Sequence, residues 1–422
     1  MTVASSLADD VAAYAALEPW ALAERWRIYR RLREESPVHE VAGSVLITTY
    51  EDVCSVLLDH ERVHNGAPSR GVPGEVLDRL TQGERAMLAD IVDWEDRWLT
   101  AANGRRHAEL RALGTRVFAA RAIQDLRERV AAVIHEMLTS LARRETFDFV
   151  SEFAYRLPLT VISEILDIPD ELREPLHETW VGMMPARTGL AWRSNLPRDL
   201  EDAHRHFKAM ERQVRDLLDL RSSGPTTEIM RNLVEARASG VDEKDLLVLI
   251  QILITAGHQT TQDLLANGLH ALLRERDQWR LLCEDPSLAP AAVEEILRYR
   301  SPSQDIERFA AAPFTLRGVE VPAGRHLTIL LGSANHDPAV FSEPDVFDIL
   351  RPDARQHVAF GRGPHFCLGA ALSRMEGSLA LEALARRLPD IELVGDDPPW
   401  IPSTHLLGLA FLHVSPGPLR AG

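Results

Sequence analysis

Apolar residues recur at intervals of three and four along most of the chain, the spacing that builds one face of an α-helix. This pattern predicts helices over residues 21–35, 51–59, 105–118, 122–143, 149–166, 199–220, 242–274, 290–299 and 368–388. Strand-like segments are fewer and shorter, and they cover residues 38–49, 314–321, 327–331 and 406–414. The pattern therefore predicts a mainly α protein with a small β component.

No linker rich in Gly, Ser or Pro, no low-complexity run and no internal repeat divides this pattern. With 422 residues, 45% of them hydrophobic, the chain is long enough to bury a large core. We therefore expect a single domain over residues 1–422, in which residues 1–20 form a partly ordered arm. Residues 337–361 are rich in Pro, Asp and Arg and show no period, and such a long irregular segment inside a compact domain usually has a function.

Charge and cysteine content narrow the possible partners. A net charge of -16 disfavours nucleic acid and anionic membranes, because both are polyanions. The first twenty residues lack the basic and apolar regions of a signal peptide, and no apolar run is long enough to span a bilayer, so we expect a cytoplasmic protein. Three separated cysteines, Cys54, Cys283 and Cys367, cannot build an iron–sulfur cluster, a CxxC zinc site or a disulfide framework.

One of these cysteines stands in an unusual setting. Cys367 follows the glycine-rich stretch Phe-Gly-Arg-Gly-Pro-His-Phe and comes just before the helical pattern of residues 368–388. Unpaired N–H groups at a helix N-terminus favour sulfur in its thiolate form. Gly361 and Gly363 allow tight turns, and Gly369 leaves room for a flat group against the helix. The alternative is an ordinary buried cysteine at a helix cap.

The stretch from Phe360 to Gly369 resembles the cysteine-ligand loop of the cytochrome P450 family, Phe-Gly-x-Gly-x-His/Arg-x-Cys-x-Gly, at every fixed position. The resemblance implies the P450 fold and haem b (heme b, iron protoporphyrin IX), with Cys367 as the metal ligand. It also implies that Phe360, Gly361 and Gly369 contact the cofactor. It extends from about residue 20 to the end of the chain.

A second motif interrupts the long apolar helix predicted over residues 242–274. The sequence Ala256-Gly257-His258-Gln259-Thr260-Thr261 resembles the oxygen-activation motif of the family, Ala/Gly-Gly-x-Asp/Glu-Thr-Thr/Ser, except that Gln259 stands at the acidic position. An amide can hold a water molecule but cannot titrate. We therefore expect Thr260 to bind oxygen, with Ala256 and Gly257 leaving room for it, and Gln259 to position a water. The structural alternative is that Gly257 serves packing and that Thr260 bonds back to the Ala256 carbonyl and bends the helix.

Further residues match the family in order and spacing. Glu295, Arg298 and Arg351 resemble its structural Glu-x-x-Arg plus Arg triad, in which one carboxylate bridges two guanidiniums. Two haem propionates require cationic or hydrogen-bonding partners, and the resemblance offers these candidates: His107, Arg111, Arg308, His357 and His365.

The substrate pocket is the least determined part of the site. The regions that line it in similar enzymes supply, besides Ala256, the candidates Trp94, Trp98, Trp180, Met183, Met184, Leu253, Ile306, Leu406 and Leu407. Tryptophan and methionine suit a bulky or aromatic ligand, although any one of them is about as consistent with ordinary core packing.

The resemblance implies a haem-thiolate monooxygenase that oxidises a hydrophobic, possibly aromatic small molecule of specialised metabolism. Electrons are expected from a separate ferredoxin and ferredoxin reductase, and because ferredoxins are acidic we expect a basic docking face with candidates Arg105, Arg106, Arg362 and Arg374. Two alternatives stay open. The missing acid could mark radical coupling or another oxidation without oxygen insertion, or the protein could be a non-catalytic haem-thiolate sensor.

Overall fold

A computed structural model describes residues 5–41, 43–66, 72, 74–117, 120–183, 196–224 and 226–420. Helices dominate these residues, as the sequence predicts. In chain order they are α1 (Leu7–Ala15), α2 (Pro19–Ala23), α3 (Arg25–Glu35), α4 (Tyr50–Leu58), α5 (Gly74–Leu77), α6 (Gln82–Glu95), α7 (Gly104–Val117), α8 (Ala120–Leu141), α9 (Arg156–Ile165), α10 (Asp170–Met183), α11 (Leu196–Arg221), α12 (Glu228–Ala238), α13 (Glu243–Arg274), α14 (Arg276–Glu284), α15 (Ala289–Tyr299), α16 (Leu331–Ala334) and α17 (Ala370–Arg387).

The strands are β1 (Val38–Val41), β2 (Ser44–Ile47), β3 (Val63–His64), β4 (Phe147–Asp148), β5 (Ile306–Ala310), β6 (Phe314–Leu316), β7 (Val319–Val321), β8 (His326–Ile329), β9 (Glu392–Leu393) and β10 (His413–Ser415). In the described residues β1-β2-β8-β5-β3 form one sheet, β4-β10-β9 a second and β6-β7 a hairpin. The pairing of β2 with β8 is parallel and the other pairings are antiparallel. This small β component confirms the predicted fold class.

The central helix α13 crosses the molecule as predicted. Asp242 caps its N-terminus by accepting the N–H of Asp245, and 32 residues give a length of about 48 Å. Most of its side chains are buried, because α13 packs against α9, α11, α15 and α17. A helix covered on several sides has no solvated face, which explains its nearly continuous apolar sequence.

Several predicted elements differ in extent. The helix predicted over residues 149–166 is divided into a π-helical turn, Val150–Ala154, and α9. The strand predicted over residues 406–414 is largely irregular, because its backbone bonds to loops: Leu407 donates to the Pro302 carbonyl and Ala410 to that of Pro399. The strand predicted over residues 327–331 ends at Ile329, where Leu330 leads into the short helix α16.

Pattern reading missed some elements altogether, including α6, α10, α12, α14 and β5. For α6 the sequence does contain a start signal, a capping box in which Thr81 and Glu84 satisfy each other's backbone N–H groups. Residues 1–20, expected as an arm, contain α1, whose Val11 and Tyr14 are buried against α3. Among the described residues, no helix is both long enough and apolar enough to cross a membrane.

Candidate haem site

The loop before α17 holds Cys367 in a defined position. Cys367 donates its backbone N–H to the Phe360 carbonyl at 2.9 Å, which closes the loop on itself. Gly361 and Gly363 adopt φ angles of 68° and 72°, in the left-handed region that other residues rarely enter. At Gly363 a side chain would also meet the Leu57 carbonyl oxygen at 3.0 Å. Both glycines are therefore required by the backbone path that delivers the cysteine.

The Cys367 side chain lines the cavity and is exposed there, although protein atoms surround this position densely. Burial raises the pKa of the Cys367 thiol. Four weaker causes lower it: the Gly369 N–H, the Arg111 and Arg374 guanidiniums and the Ala370 N–H. The helix begins at Ala370 with Gly369 as its N-cap, so the predicted helix-terminus donors are present. These donors alone do not offset the effect of burial on the pKa of the thiol. A metal cation bound to the sulfur would supply the positive charge that stabilises the thiolate.

The cavity lies between the ligand loop and the central helix. Its volume, about 310 Å³, is some twenty times what one water molecule requires. Two sets of residues form walls of the cavity: Phe360, Gly361, Cys367 and Gly369 around the ligand loop, and residues of α13. A Cβ atom at Gly361 or Gly369 would meet no atom within 4 Å, so open space lies against both positions. A large flat group fits between these two walls.

Four cationic or potentially cationic side chains converge on this cavity: His107, Arg111, Arg308 and His365. Burial lowers the pKa of Arg308 to about 10, and burial together with the neighbouring His107, Arg308 and Arg111 lowers the pKa of His365 to about 3. The rings of His107 and His365 lie 3.9 Å apart. None of the described residues lining the cavity is Asp or Glu. The cluster therefore lacks a counterion, and two buried carboxylates such as haem propionates would provide it.

Hydrogen bonding in this cluster agrees with such a ligand. The Nε2 atom of His107 is buried and has no hydrogen-bond partner among the described residues. Arg308 donates one bond to the neighbouring Glu307 carbonyl, and Arg111 donates to the Phe366 carbonyl at 2.8 Å. Donors remain on each guanidinium for a further acceptor. The residues present thus fit the propionate groups of a haem.

Asn65 belongs to this site and was missed by sequence reasoning. It lines the cavity, and its side-chain amide lies 3.2 Å from Nδ1 of His365. An amide N–H donating to Nδ1 leaves the ring proton of neutral His365 on Nε2. Asn103 holds Asn65 through two bonds, accepting its N–H at 2.9 Å and donating to its carbonyl at 2.8 Å. Only the tertiary fold reveals this pair, because 38 residues separate its members.

His357, which is predicted to bind a propionate, lies outside the cavity lining. Its Nε2 lies 3.1 Å from a Glu294 carboxylate oxygen, its Nδ1 accepts the Ala359 N–H at 3.1 Å, and it does not line the cavity. Both ring nitrogens are therefore already bonded. Arg374 also binds Glu294, at 2.7 and 3.0 Å, and its guanidinium carbon lies 4.6 Å from the ring centre of Phe360. His357 and Arg374 thus connect the ligand loop to Glu294 on α15.

The predicted triad of Glu295, Arg298 and Arg351 is present. Arg298 donates two bonds of 2.7 Å to Glu295, and Arg351 donates one of 3.3 Å to the same carboxylate. Arg298 also donates to the Pro344 carbonyl in the irregular segment and to the Asn335 carbonyl just before that segment, and the Asn335 side chain accepts the Val358 N–H. The triad therefore anchors the segment that leads into the ligand loop, and it does not touch the cavity.

On the central helix, Ala256, Gly257 and Thr260 line the cavity as expected. The Thr260 hydroxyl donates to the Ala256 carbonyl at 2.8 Å, so the predicted back-bond is present as well. A Cβ at Gly257 would meet only Ile162, at an ordinary 3.7 Å, so packing alone does not require glycine there. Gln259 departs from the prediction: it does not line the cavity, and its amide donates to Asp263 at 3.1 Å.

Of the predicted pocket residues, Leu253 and Ile306 line the cavity. Trp94 and Trp98 do not, since both pack in the main core and the Trp94 indole donates to Gln251. Leu406 and Leu407 do not line it either. The side chains of Trp180 and Met183, and the whole of Met184, lie outside the described residues. Besides Asn65, the structure adds these lining residues: Leu99, Thr100, Ile252, Leu297, Pro302, Ser303, Leu331 and Leu372.

A loop-borne cysteine opposite a long buried helix, with a cluster of cations for two carboxylates between them, defines a haem-thiolate protein. The model of the family described as Cytochrome P450 matches residues 190–411. The chain is 34% identical to Cytochrome P450 107B1 of Saccharopolyspora erythraea, over 93% of this chain and 95% of that protein. It is 33% identical to the polyketide biosynthesis cytochrome P450 PksS of Bacillus subtilis, over 91% and 94%.

Solved structures agree with these sequence matches. The structure of PksS matches with a TM-score of 0.80 at 31% identity, covering 93% of this chain and 96% of that chain. The structure of P450BioI in complex with an acyl carrier protein matches with a TM-score of 0.84 at 27% identity, covering 94% and 99%. The chain belongs to the cytochrome P450 family. It is a monooxygenase, an oxidoreductase that binds haem b and works with redox partners on a hydrophobic substrate.

Proposed function

We propose that this enzyme oxidises a hydrophobic small molecule of specialised metabolism, with Cys367 as the thiolate that would hold the haem and ferredoxin as the electron donor. The observation that carries the proposal is that Cys367 and the Thr260 turn of α13 line the same cavity. When bound, the haem supplies the activation of O₂ by two electrons, and thiolate ligation favours cleavage of the O–O bond.

The chain's own residues divide the remaining tasks. His107, Arg111, Arg308 and His365 hold the propionates, because they bring donors and positive charge to a cavity wall without a carboxylate. Phe360, Gly361 and Gly369 shape the space beside Cys367. Ala256 and Gly257 would leave room beside a bound haem, and Thr260 would supply a hydroxyl group from the same stretch of the cavity lining.

The lining supports a hydrophobic substrate. Ile252, Leu253, Leu297 and Ile306 present aliphatic groups, and no charged side chain lines the cavity outside the cationic cluster among the described residues. Trp94 and Trp98, which suggested an aromatic substrate, are absent from this lining. They therefore give no support to stacking of an aromatic substrate in this cavity. The name of the relative PksS refers to polyketide biosynthesis, which favours a substrate of that general character.

For the electron donor, exposed arginines near the ligand loop support a ferredoxin. Arg362 is exposed within the loop itself, Arg105 is 92% exposed but pairs with Glu109, and Arg106 pairs with Asp245. Arg374 is removed from the predicted docking face, because Glu294 binds its guanidinium. The substitution Arg362→Glu should slow reduction by an acidic ferredoxin at low ionic strength, and the difference should shrink as salt is added.

The first test is spectroscopic. The ferrous wild type with carbon monoxide should show the spectrum of a thiolate-bound haem, Cys367→Ser should lose it, and the matched control Cys283→Ser should keep it, because Cys283 does not line the cavity. A Cys367→Ser variant with an unchanged spectrum contradicts the proposal.

The second test is turnover with NAD(P)H and a surrogate ferredoxin and reductase under ¹⁸O₂. A labelled product is expected from oxygen insertion. An unlabelled coupled product would instead support radical coupling, and a protein that binds haem without turning over any of a broad set of hydrophobic substrates would support a sensor.

A further inference from the structure

The amide that stands at the family's acidic position is bonded to a carboxyl one helical turn later. Gln259 donates its Nε2–H to Asp263 Oδ1 at 3.1 Å. Compared with the family motif, an amide therefore stands at the acidic position 259, and an acid stands four residues further along α13. Residues four apart lie on the same side of a helix, which allows this direct contact.

Asp263 is held in a site that fits a carboxyl closely. It is 1% exposed, and its Oδ2 atom is buried without a hydrogen-bond partner among the described residues. A Cβ atom at Gly408 would lie 2.5 Å from Asp263 Oδ1, so the carboxyl occupies space that only glycine leaves open. An orphaned oxygen in a tight enclosure is costly for a carboxylate, and a protonated carboxyl reduces this cost.

The electrostatics agree with this geometry. Burial raises the pKa of Asp263 to about 8, and the hydrogen bond from Gln259 is the one opposing cause. No charged residue contributes from α13 or from the segment around Gly408. Asp263 therefore holds its proton at neutral pH and becomes a better proton donor than an ordinary aspartic acid, which is already ionised there.

Asp263 also lies next to the cavity-lining face. It follows Thr260 by three residues and Ala256 by seven, close to two full turns, so the three positions share one side of α13. The rise from Thr260 to Asp263 is about 4.5 Å. Thr260 lines the cavity, whereas Asp263 does not.

We infer that Asp263, acting through Thr260, supplies the proton that an acid at position 259 would otherwise provide. This inference rests on the proposed function. Asp263 and Thr260 share no direct hydrogen bond, so one water molecule relays the proton: the O–H bond of Asp263 breaks as the water takes its proton, and the water gives a proton to Thr260 Oγ1. Thr260 releases its own hydroxyl proton, which otherwise bonds to the Ala256 carbonyl, towards the cavity. The carboxylate accepts the Gln259 N–H until a proton from solvent restores the acid.

In this scheme Asp263 and Gln259 are positioning residues for Thr260, and Gln259 has a defined purpose. Its N–H stabilises the carboxylate that forms after proton release, whereas a carboxylate at 259 would repel it. The substitution Gln259→Glu should therefore not improve the enzyme. Two carboxyls in contact would share one proton, and product formed per NAD(P)H consumed should stay the same or fall.

The test combines a proton-specific measurement with turnover. Infrared difference spectra of the ferric holoenzyme at pH 7, wild type minus Asp263→Asn, should contain the carbonyl stretch of a protonated carboxylic acid. The control variant Asp277→Asn changes an exposed aspartate of α14 and should give no such band. In turnover, Asp263→Asn should lower product per NAD(P)H by about ten-fold, less than the 10²–10⁴ of a complete acid–base step because water can substitute. The hydrogen peroxide formed per NAD(P)H should rise by the amount that product falls, while the substrate dissociation constant stays unchanged.

Any of three results would overturn the inference. The infrared band of a protonated acid could remain in Asp263→Asn, that variant could form as much product per NAD(P)H (normal coupling) as wild type, or Gln259→Glu could form more. Asparagine is isosteric and neutral like the protonated acid, so folding should be retained. If Asp263→Asn does not fold, the coupling measured for Gln259→Glu tests the inference independently. A wild type without the thiolate spectrum contradicts the proposed function, whereas a normal spectrum with normal coupling in Asp263→Asn contradicts this inference alone.

Discussion

Replacing Glu294 with glutamine removes a buried negative charge that organises the ligand loop. Glu294 is 6% exposed and binds Arg374 through both oxygens and His357 through one. Burial lowers the pKa of His357 by more than the neighbouring Glu294 carboxylate raises it. The His357 ring is therefore neutral at pH 7, and Arg374 is the charged partner of Glu294. Glutamine has nearly the same shape, so the substitution tests the charge rather than the packing.

The size of the effect follows from the pKa. His357 and Arg374 outweigh burial and lower the pKa of Glu294 from 4.5 to about 2. At about 1.4 kcal/mol per unit, the carboxylate contributes on the order of 3 kcal/mol to the free energy of unfolding. A lowered folded-state pKa gives stability that is complete above the unfolded value of 4.5 and is lost as the pH falls towards 2. The difference between wild type and variant should therefore be about 3 kcal/mol at pH 7 and roughly half of that at pH 3.

Urea unfolding of both proteins at matched haem content, followed by tryptophan fluorescence between pH 7 and pH 3, measures this difference. Glu284→Gln is the control, because Glu284 is exposed and should change stability little. An unchanged midpoint for Glu294→Gln at pH 7, or a difference that does not narrow on acidification, would refute the reasoning. Because Arg374 also packs on the Phe360 ring, the variant should in addition lose haem faster than wild type.

Two further substitutions probe the loop and its anchor. Gly363→Ala places a side chain in left-handed backbone and also brings its Cβ to 3.0 Å from the Leu57 carbonyl oxygen, whereas the Cβ of Gly361→Ala is in left-handed backbone but meets no protein atom. Thermal unfolding should show Gly363→Ala to be less stable than Gly361→Ala by about 1–3 kcal/mol. Equal unfolding midpoints for the two variants would show that the Leu57 contact is not destabilising. Arg298→Met removes the two shortest bonds to the fully buried carboxylate of Glu295, leaving Arg351 as its charged partner, and should cost about 3–5 kcal/mol in denaturant unfolding. The exposed control Arg280→Met should cost under about 1 kcal/mol, and similar losses for both would contradict the role of burial.

The sequence was most informative where a motif is contiguous. The ten residues ending at Gly369 predict the loop, its two left-handed glycines and the helix that follows, because all of these depend on local backbone preferences. The helix-period pattern likewise predicts α13 to within a residue at its start. The assignment of residues 1–422 to one domain stays a prediction.

Predictions that needed contacts between distant segments were less successful. His357 precedes the loop at a plausible distance, but Glu294, 63 residues earlier, takes its ring nitrogen instead. Trp94 and Trp98 have the right chemistry for a pocket and are directed into the core. Spacing along the chain does not determine which of two neighbouring surfaces a side chain faces.

What the sequence determined by itself was therefore the mainly helical fold, the cysteine loop and the presence of an amide at position 259. What the tertiary structure decided was where that amide bonds. Asp263 lies on the same helix four residues later, but its proton affinity depends on burial beneath Gly408, which is 145 residues away in the sequence and comes near only after folding. The pKa of a group reflects its three-dimensional surroundings, and these are set by packing rather than by the order of residues.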